Sequence, residues 1–198
     1  STRGGLWLKV IAINGSARKD GNTAILLKKV LSELEAQGIE TELLQMSGKK
    51  ITGCTACDKC LENRDGHYAV KKDILNEYLD KIVAADGLIL GSPTYFADIS
   101  AGMKALIERV GRVSMSNGGL LKRKVGAAVV AVRRGGAIHA VDSLNHFFLI
   151  SQMIIPGSTY WNMGFGRAKG EVENDAEGIK NMSNLGQNMA WLLEKLQG

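Results

Sequence analysis

Leu8-Lys9-Val10-Ile11-Ala12-Ile13-Asn14-Gly15 is an apolar run of six residues that ends on an Asn-Gly pair. A run of this length, closed by turn residues, reads as a strand buried on both faces. A polar loop follows, and then Leu27, Val30, Leu31 and Leu34 recur at helical spacing and stop near Gly38. The same strand-then-helix pattern repeats along the chain. Glu40 to Gln45 reads as a second, less buried strand. Leu75, Tyr78, Leu79 and Ile82 mark one helix face before a third strand, Gly87 to Ser92. Ser100 caps a helix carrying Met103, Leu106 and Val110. Val125 to Val132 is the fourth strand, Ile138, Val141, Leu144 and Phe148 line the next helix, and Ile154-Ile155 opens a fifth strand. Leu185, Met189, Leu192 and Leu196 line the closing helix. Apolar strands joined by helices require a parallel sheet covered on both faces, with right-handed crossovers. Five such units fit an α/β three-layer sandwich of the flavodoxin-like order 2-1-3-4-5; a barrel would need eight.

The rest of the composition agrees. The chain has 198 residues, 45% hydrophobic and 23% charged, which is ordinary for one globular domain spanning 1–198. Glycine is frequent (24 against 2 prolines), as tight strand-to-helix turns require. Ser1 to Gly5 reads as a solvated lead-in. The longest apolar runs are too short for a bilayer, and no apolar signal core precedes the first strand, so a cytoplasmic protein without a membrane partner is expected. The net charge of +5 suits an anionic ligand. The basic residues are scattered and no nucleic-acid-binding pattern is present, so nucleic acid is not expected as a partner.

In an open sheet of this kind, ligands bind beyond the C-terminal ends of the strands. The loop after the first strand, Asn14-Gly15-Ser16-Ala17-Arg18-Lys19-Asp20-Gly21-Asn22-Thr23, runs straight into a helix N-terminus. Backbone N–H groups and the helix dipole favour an anion there, with Ser16, Asn22 and Thr23 as donors and Arg18 as a cation. The alternative is that Asn22 only caps the helix. The loop lacks both the dinucleotide fingerprint and the Walker pattern, so a single phosphate fits it best. After the third strand, Pro93-Thr94-Tyr95-Phe96 sets two aromatics where they can flank a planar ring, or simply pack. After the fourth, Arg133-Arg134-Gly135-Gly136 combines charge with glycines that allow close approach, or forms a tight turn with solvated cations.

Three ordered motifs resemble the NADPH-dependent FMN reductase family, in the branch that contains the iron–sulfur flavoproteins. They are Asn14-Gly15-Ser16-x-Arg18-x-x-Gly21-Asn22-Thr23, Gly53-Cys54-x-Ala56-Cys57-x-x-Cys60 and Gly91-Ser92-Pro93-Thr94-Tyr95-Phe96 with Ser100-Ala101-x-Met103-Lys104. The resemblance implies non-covalent FMN. Ser16, Arg18, Asn22 and Thr23 would hold its phosphate. Pro93, Thr94, Tyr95 and Phe96 would bracket the isoalloxazine, with Arg133 and Gly135 near its other side. It also implies an oligomer, and Tyr160-Trp161-Asn162-Met163-Gly164-Phe165-Gly166, a glycine-broken aromatic stretch with no helical or strand face, is the candidate contact of a homodimer or homotetramer.

Cys54, Cys57 and Cys60 have the spacing of cluster-binding segments, which add a fourth cysteine. In the resembling branch that cysteine lies several residues beyond the third, where this chain has His67-Tyr68. An iron–sulfur cluster is therefore not expected. A zinc site using His67 is formally possible, and three partly buried free thiols are the favoured state. No nucleophile elbow or Ser-His-Asp order is present. The expected activity is an oxidoreductase passing hydride from NAD(P)H through FMN to a small acceptor. The alternatives are an electron carrier reduced by ferredoxin and a flavin-binding regulatory protein without turnover.

Overall fold

The computed structural model describes residues 7–197; the lead-in at residues 1–5 lies outside them. The chain alternates as β1 (Lys9–Asn14), α1 (Asn22–Ala36), β2 (Glu40–Gln45), α2 (Lys59–Asn63), α3 (Leu75–Ala84), β3 (Gly87–Pro93), α4 (Ala101–Ser116), β4 (Val125–Val132), α5 (Ala137–Ile150), β5 (Met163–Phe165) and α6 (Ala176–Leu196), with a short 3-10 helix at Glu171–Asn174. The five strands form one sheet of order β2-β1-β3-β4-β5, parallel throughout. This is the flavodoxin-like α/β sandwich.

Strand alternation divides the core in two. Val10, Ala12, Ile89, Val125, Ala127 and Val129 face α1 and α6, where Leu27, Val30, Leu34, Met182, Leu185 and Met189 meet them. Ile11, Ile13, Leu88, Leu90, Ala128 and Val130 point the other way, onto α3, α4 and α5. Every residue of β4 is buried, as expected for a strand covered on both faces. Among the described residues, no helix is long and apolar enough to cross a membrane.

The fifth strand differs from its sequence reading. Ile154 makes only an isolated bridge to Val125, with Ile154 N–H donating to Lys124 O and Gly126 N–H donating to Ile154 O, both at 2.9 Å. Pro156 then follows, which has no N–H to continue a ladder. The chain leaves the sheet and returns at Met163–Phe165, which pairs with Val130–Val132. The aromatic stretch thus does supply a strand, although Tyr160, Trp161 and Phe165 stay exposed. Two helix faces also shift. Ile138 is exposed and Ala137, Ala140 and Phe147 complete the buried face of α5, while on α6 Leu196 is exposed and Met182 and Leu193 are buried.

Candidate functional site at the strand ends

The turn after β1 is shaped from within by Asn14, a buried residue at the end of the strand. Its Nδ2 donates to Gln45 Oε1 at 2.8 Å and to Lys19 O at 3.3 Å, and its Oδ1 accepts the Ser16 amide at 3.1 Å. Ser16 Oγ in turn accepts the Arg18 amide at 3.0 Å. Gly15 lies against β3 and α4: its N–H donates to Gly91 O, and its carbonyl accepts from Ser100 Oγ, both at 2.7 Å. A Cβ on Gly15 would sit 2.8 Å from Met103 Cε and 3.0 Å from Gly91 O, so only glycine fits that approach. Gly21, not Asn22, is the N-cap of α1, and no side chain caps the helix. The first-turn amides thus point into the loop without a side-chain acceptor, and no acidic residue occupies that turn.

Ser16 and Thr23 are buried at this turn, and Arg18 is exposed. Arg18 Nη1 donates to the backbone O of Arg167 at 3.3 Å. The Asn22 side chain is engaged at both ends by the turn after β5: Nδ2 donates to Ala168 O and Oδ1 accepts from Gly170 N, each at 2.9 Å. What Asn22 offers the loop is therefore its backbone amide. This link joins residues almost 150 positions apart, and no local sequence signal marks it.

The loop after β3 turns back on itself through a bridge between Tyr95 and Asp98. Phe96 and Ala97, the two residues at its tip, have φ of 41° and 75°. Left-handed backbone at two consecutive non-glycine residues is strained and tends to mark functional loops. Asp98 ties the loop to α5, its Oδ1 accepting from Ser143 Oγ at 2.8 Å and its Oδ2 lying 3.4 Å from His139 Nε2. Burial pushes the Asp98 carboxyl up, but Ser143, the Ile99 amide and His139 outweigh it and hold it below its ordinary range. Phe96 is fully exposed (106%) and Tyr95 is exposed beside it. Thr94 Oγ1, by contrast, is buried with no hydrogen-bond partner among the described residues. The loop after β4 closes over this one, since a Cβ on Gly136 would come within 3.3 Å of Thr94 Cγ2. Gly135 borders open space, and Arg133 and Arg134 are exposed. The adjacency of β1, β3 and β4 therefore collects all ten candidate residues at one edge of the sheet.

A family model described as NADPH-dependent FMN reductase matches residues 8–168, which takes in all three of these loops. The chain belongs to the NADPH-dependent FMN reductase family. That family is one of FMN-binding flavoprotein oxidoreductases. Among curated members, an iron-sulfur flavoprotein of Methanocaldococcus jannaschii is 36% identical over 96% of this chain and all of its own length. An iron-sulfur flavoprotein of Methanosarcina thermophila is 32% identical, covering 96% of this chain and 97% of that one. Two solved structures share the fold at low identity. RosB with bound 8-demethyl-8-formylriboflavin-5′-phosphate has a TM-score of 0.74 at 19% identity, over 96% of this chain and 80% of its own. A flavodoxin, WrbA-like protein from Agrobacterium tumefaciens has 0.67 at 13%, over 96% and 99%. The strand-end edge of this FMN reductase family member fits FMN. It has an uncapped helix N-terminus for one phosphate, a buried hydroxyl lacking a partner, and open space at Gly135.

The cysteine segment does not fit an iron–sulfur cluster. Such clusters take four thiolates in the usual case, and this family member has three cysteines. Cys54 is half-buried, Cys57 exposed and Cys60 buried, so they are less alike than three partly buried thiols. No three His, Cys, Asp or Glu side chains are placed to hold a metal ion among the described residues. His67, the formal zinc candidate, turns elsewhere: Nε2 meets Asp80 Oδ1 at 2.8 Å and Nδ1 meets Asp65 O at 3.1 Å. Tyr68 enters the segment instead, its buried hydroxyl accepting the Thr55 amide at 3.2 Å. The Lys59 amide, helped by the Thr55 hydroxyl, holds the Cys57 thiol below its usual range, while burial pushes the Cys60 thiol up.

Proposed function

We propose that this chain is an FMN-dependent oxidoreductase that takes hydride from NAD(P)H and reduces a small acceptor such as a free flavin, a quinone, a metal ion or a nitroaromatic. The observation that carries the reading is the buried, unpartnered hydroxyl of Thr94, on the same sheet edge as the uncapped first turn of α1. Ser16, Thr23, the backbone of Asn22 and the α1 N-terminus would hold the FMN phosphate, with Arg18 neutralising it. Pro93, Thr94, Tyr95 and Phe96 would set the ring plane, and Arg133 and Gly135 would border it opposite. Bound there, FMN supplies a hydride acceptor at N5. The chain's own part is to orient and shield. Exposed Tyr95 and Phe96 give a planar partner a surface to stack on, and Arg133 and Arg134 suit the phosphates of an anionic dinucleotide.

One observation favours a second reading. The similar proteins from both archaea carry iron-sulfur in their names, which suits a one-electron carrier fed by ferredoxin. Stopped-flow mixing of the FMN-loaded protein with NADPH under anaerobic conditions separates the two. Bleaching of the flavin absorbance within seconds is expected, and an absorbance that stays unchanged would leave the carrier or a flavin-binding regulatory protein without turnover.

A homodimer or homotetramer belongs to this reading. Tyr160 and Trp161 are exposed with ring centroids 6.1 Å apart, beside exposed Phe165. Their backbone is held firmly, because Asn181 Nδ2 donates to Trp161 O at 2.6 Å and Asn181 Oδ1 accepts the Tyr160 amide at 3.1 Å. Exposed aromatics on a fixed backbone are typical of protein contacts. Light scattering at micromolar concentration is expected to give a mass of two or four chains, and a monomeric mass would reject the contact.

A further inference from the structure

The cysteine segment is the one motif that flavin binding leaves without a role. It has two unlike halves. The first is anchored. Arg109, wholly buried on α4, donates from Nη1 to Thr52 O at 3.1 Å, and its guanidinium lies over the Tyr68 ring at 4.0 Å. Tyr68 in turn holds the Thr55 amide, and Glu108 Oε2 accepts the Cys54 amide at 3.3 Å. The second half is open to solvent, since Ala56, Cys57 and Asp58 are all exposed, although the Asp58 carboxylate accepts from Arg112 Nη2 on α4. Ala56 and Asp58 both take left-handed φ, 51° and 55°, so the backbone folds back on each side of Cys57. The fold-back brings Cys54 Sγ to 3.4 Å from the Ala56 amide, against the residue that leads into Cys57. Cys60 is buried, packed with Tyr68 in the hydrophobic core against which Cys54 also rests.

We propose that Cys57 and Cys54 form a hydroperoxide-sensitive dithiol, with Cys57 as the attacking thiol, Cys54 as the resolving thiol and Cys60 as a buried bystander. The Cys57 thiolate attacks one oxygen of the hydroperoxide, the O–O bond breaks, and the alkoxide leaves as an alcohol after taking up a proton. Cys57 is now a sulfenic acid. The Cys54 sulfur then displaces hydroxide from it, which leaves as water with the Cys54 proton, and the S–S bond forms. Two thiols have been oxidised and one peroxide reduced. An added dithiol returns the pair to its starting state. Tyr68 is what keeps both sulfurs available. It brings a phenol to the segment where a fourth thiolate would be needed to commit the trio to a metal.

The test uses the FMN-loaded protein purified without oxygen. Iron and acid-labile sulfide are measured first, and sub-stoichiometric amounts of both are expected. The protein is then treated with hydrogen peroxide and analysed by intact mass and peptide mapping. The expected product is lighter by two hydrogens, carries a Cys54–Cys57 bond, and reverts fully with dithiothreitol. Cys60→Ser should form the same bond, and Cys54→Ser should stop at a sulfenic acid on Cys57 that dimedone traps. Cys57→Ser should form no bond. The visible flavin spectrum reports whether each variant is folded. A Cys57–Cys60 bond, an unchanged mass, or stoichiometric iron and sulfide would overturn the proposal. Because these readouts concern sulfur and iron, their failure leaves the hydride-transfer reading standing, and the reverse also holds.

Discussion

Replacing Arg109 with methionine is expected to destabilise the fold by about 3–5 kcal/mol, the usual cost of removing one partner from a buried ion pair. Arg109 is fully buried within α4 and grips the Asp73 carboxylate with both terminal nitrogens, Nη1 at 2.5 Å and Nη2 at 3.2 Å. Its other contacts reach Thr52 O, Val70 O and the Tyr68 ring, so one side chain ties α4 to the cysteine segment and to the turn before α3. Methionine fills most of the volume but leaves Asp73 without its counter-charge. Urea unfolding monitored by circular dichroism measures the loss, and a change below about 1 kcal/mol, the range of an exposed pair, would overturn this account. An acid signature accompanies it. Burial pushes the Asp73 carboxyl up, but Arg109 and the Leu75 amide outweigh burial, so its folded value lies below the ordinary 3.8. A depressed carboxylate stabilises the fold above its unfolded pKa, and that contribution fades as pH falls through the folded one. The stability of the wild type should therefore drop below pH 4 in part through Asp73, and Arg109→Met should flatten that part of the curve.

Replacing Arg18 with alanine is expected to weaken FMN binding by about 1–3 kcal/mol, as for a hydrogen bond to a charged group, or roughly 5- to 150-fold in dissociation constant. Arg18 is exposed, and its side chain donates to a neutral carbonyl, Arg167 O. It makes no ion pair among the described residues. Its charge is thus uncommitted next to helix amides that lack a side-chain acceptor. Titration of the apoprotein with FMN, followed by quenching of flavin fluorescence, measures the effect. An unchanged dissociation constant would remove Arg18 from the phosphate site.

The first, third and fourth strands were legible because each is a largely apolar run ended by glycine, proline or a polar turn. The second, Glu40-Thr41-Glu42-Leu43-Leu44-Gln45, was legible as a less buried strand between two helix patterns. The fifth was not. Ile154-Ile155 has the right chemistry, but Pro156 stops it, and the strand that pairs with the end of β4 is three residues with a glycine at the centre. Gly164 is there because Val172 and Leu26 crowd the position, the nearest atom 2.6 Å from where a Cβ would lie. That is a constraint between distant residues, invisible locally. The same reason hides the engagement of Asn22 with the 168–170 turn and that of Arg109 with Asp73. Arg109 interrupts an apolar stripe on α4, which marks it as unusual, but the carboxylate that neutralises it lies 36 positions away. By contrast the candidate cofactor residues were readable as a set, because parallel connectivity brings successive loops to one edge whatever the distant contacts do.

The two outer strands also govern how copies of this chain can meet. A parallel sheet with bare flanks invites further strands to add, which is a route to aggregation. Here one flank, β2, carries Glu40 and Glu42, paired with Lys9 and Lys81, so an incoming strand would meet charge along its length. The other flank, β5, ends after three residues. Neither gives a long apolar template. The proposed association would then use exposed side chains, Tyr160, Trp161 and Phe165, where geometry selects the partner, and ordered assembly would be favoured over open-ended stacking of sheets.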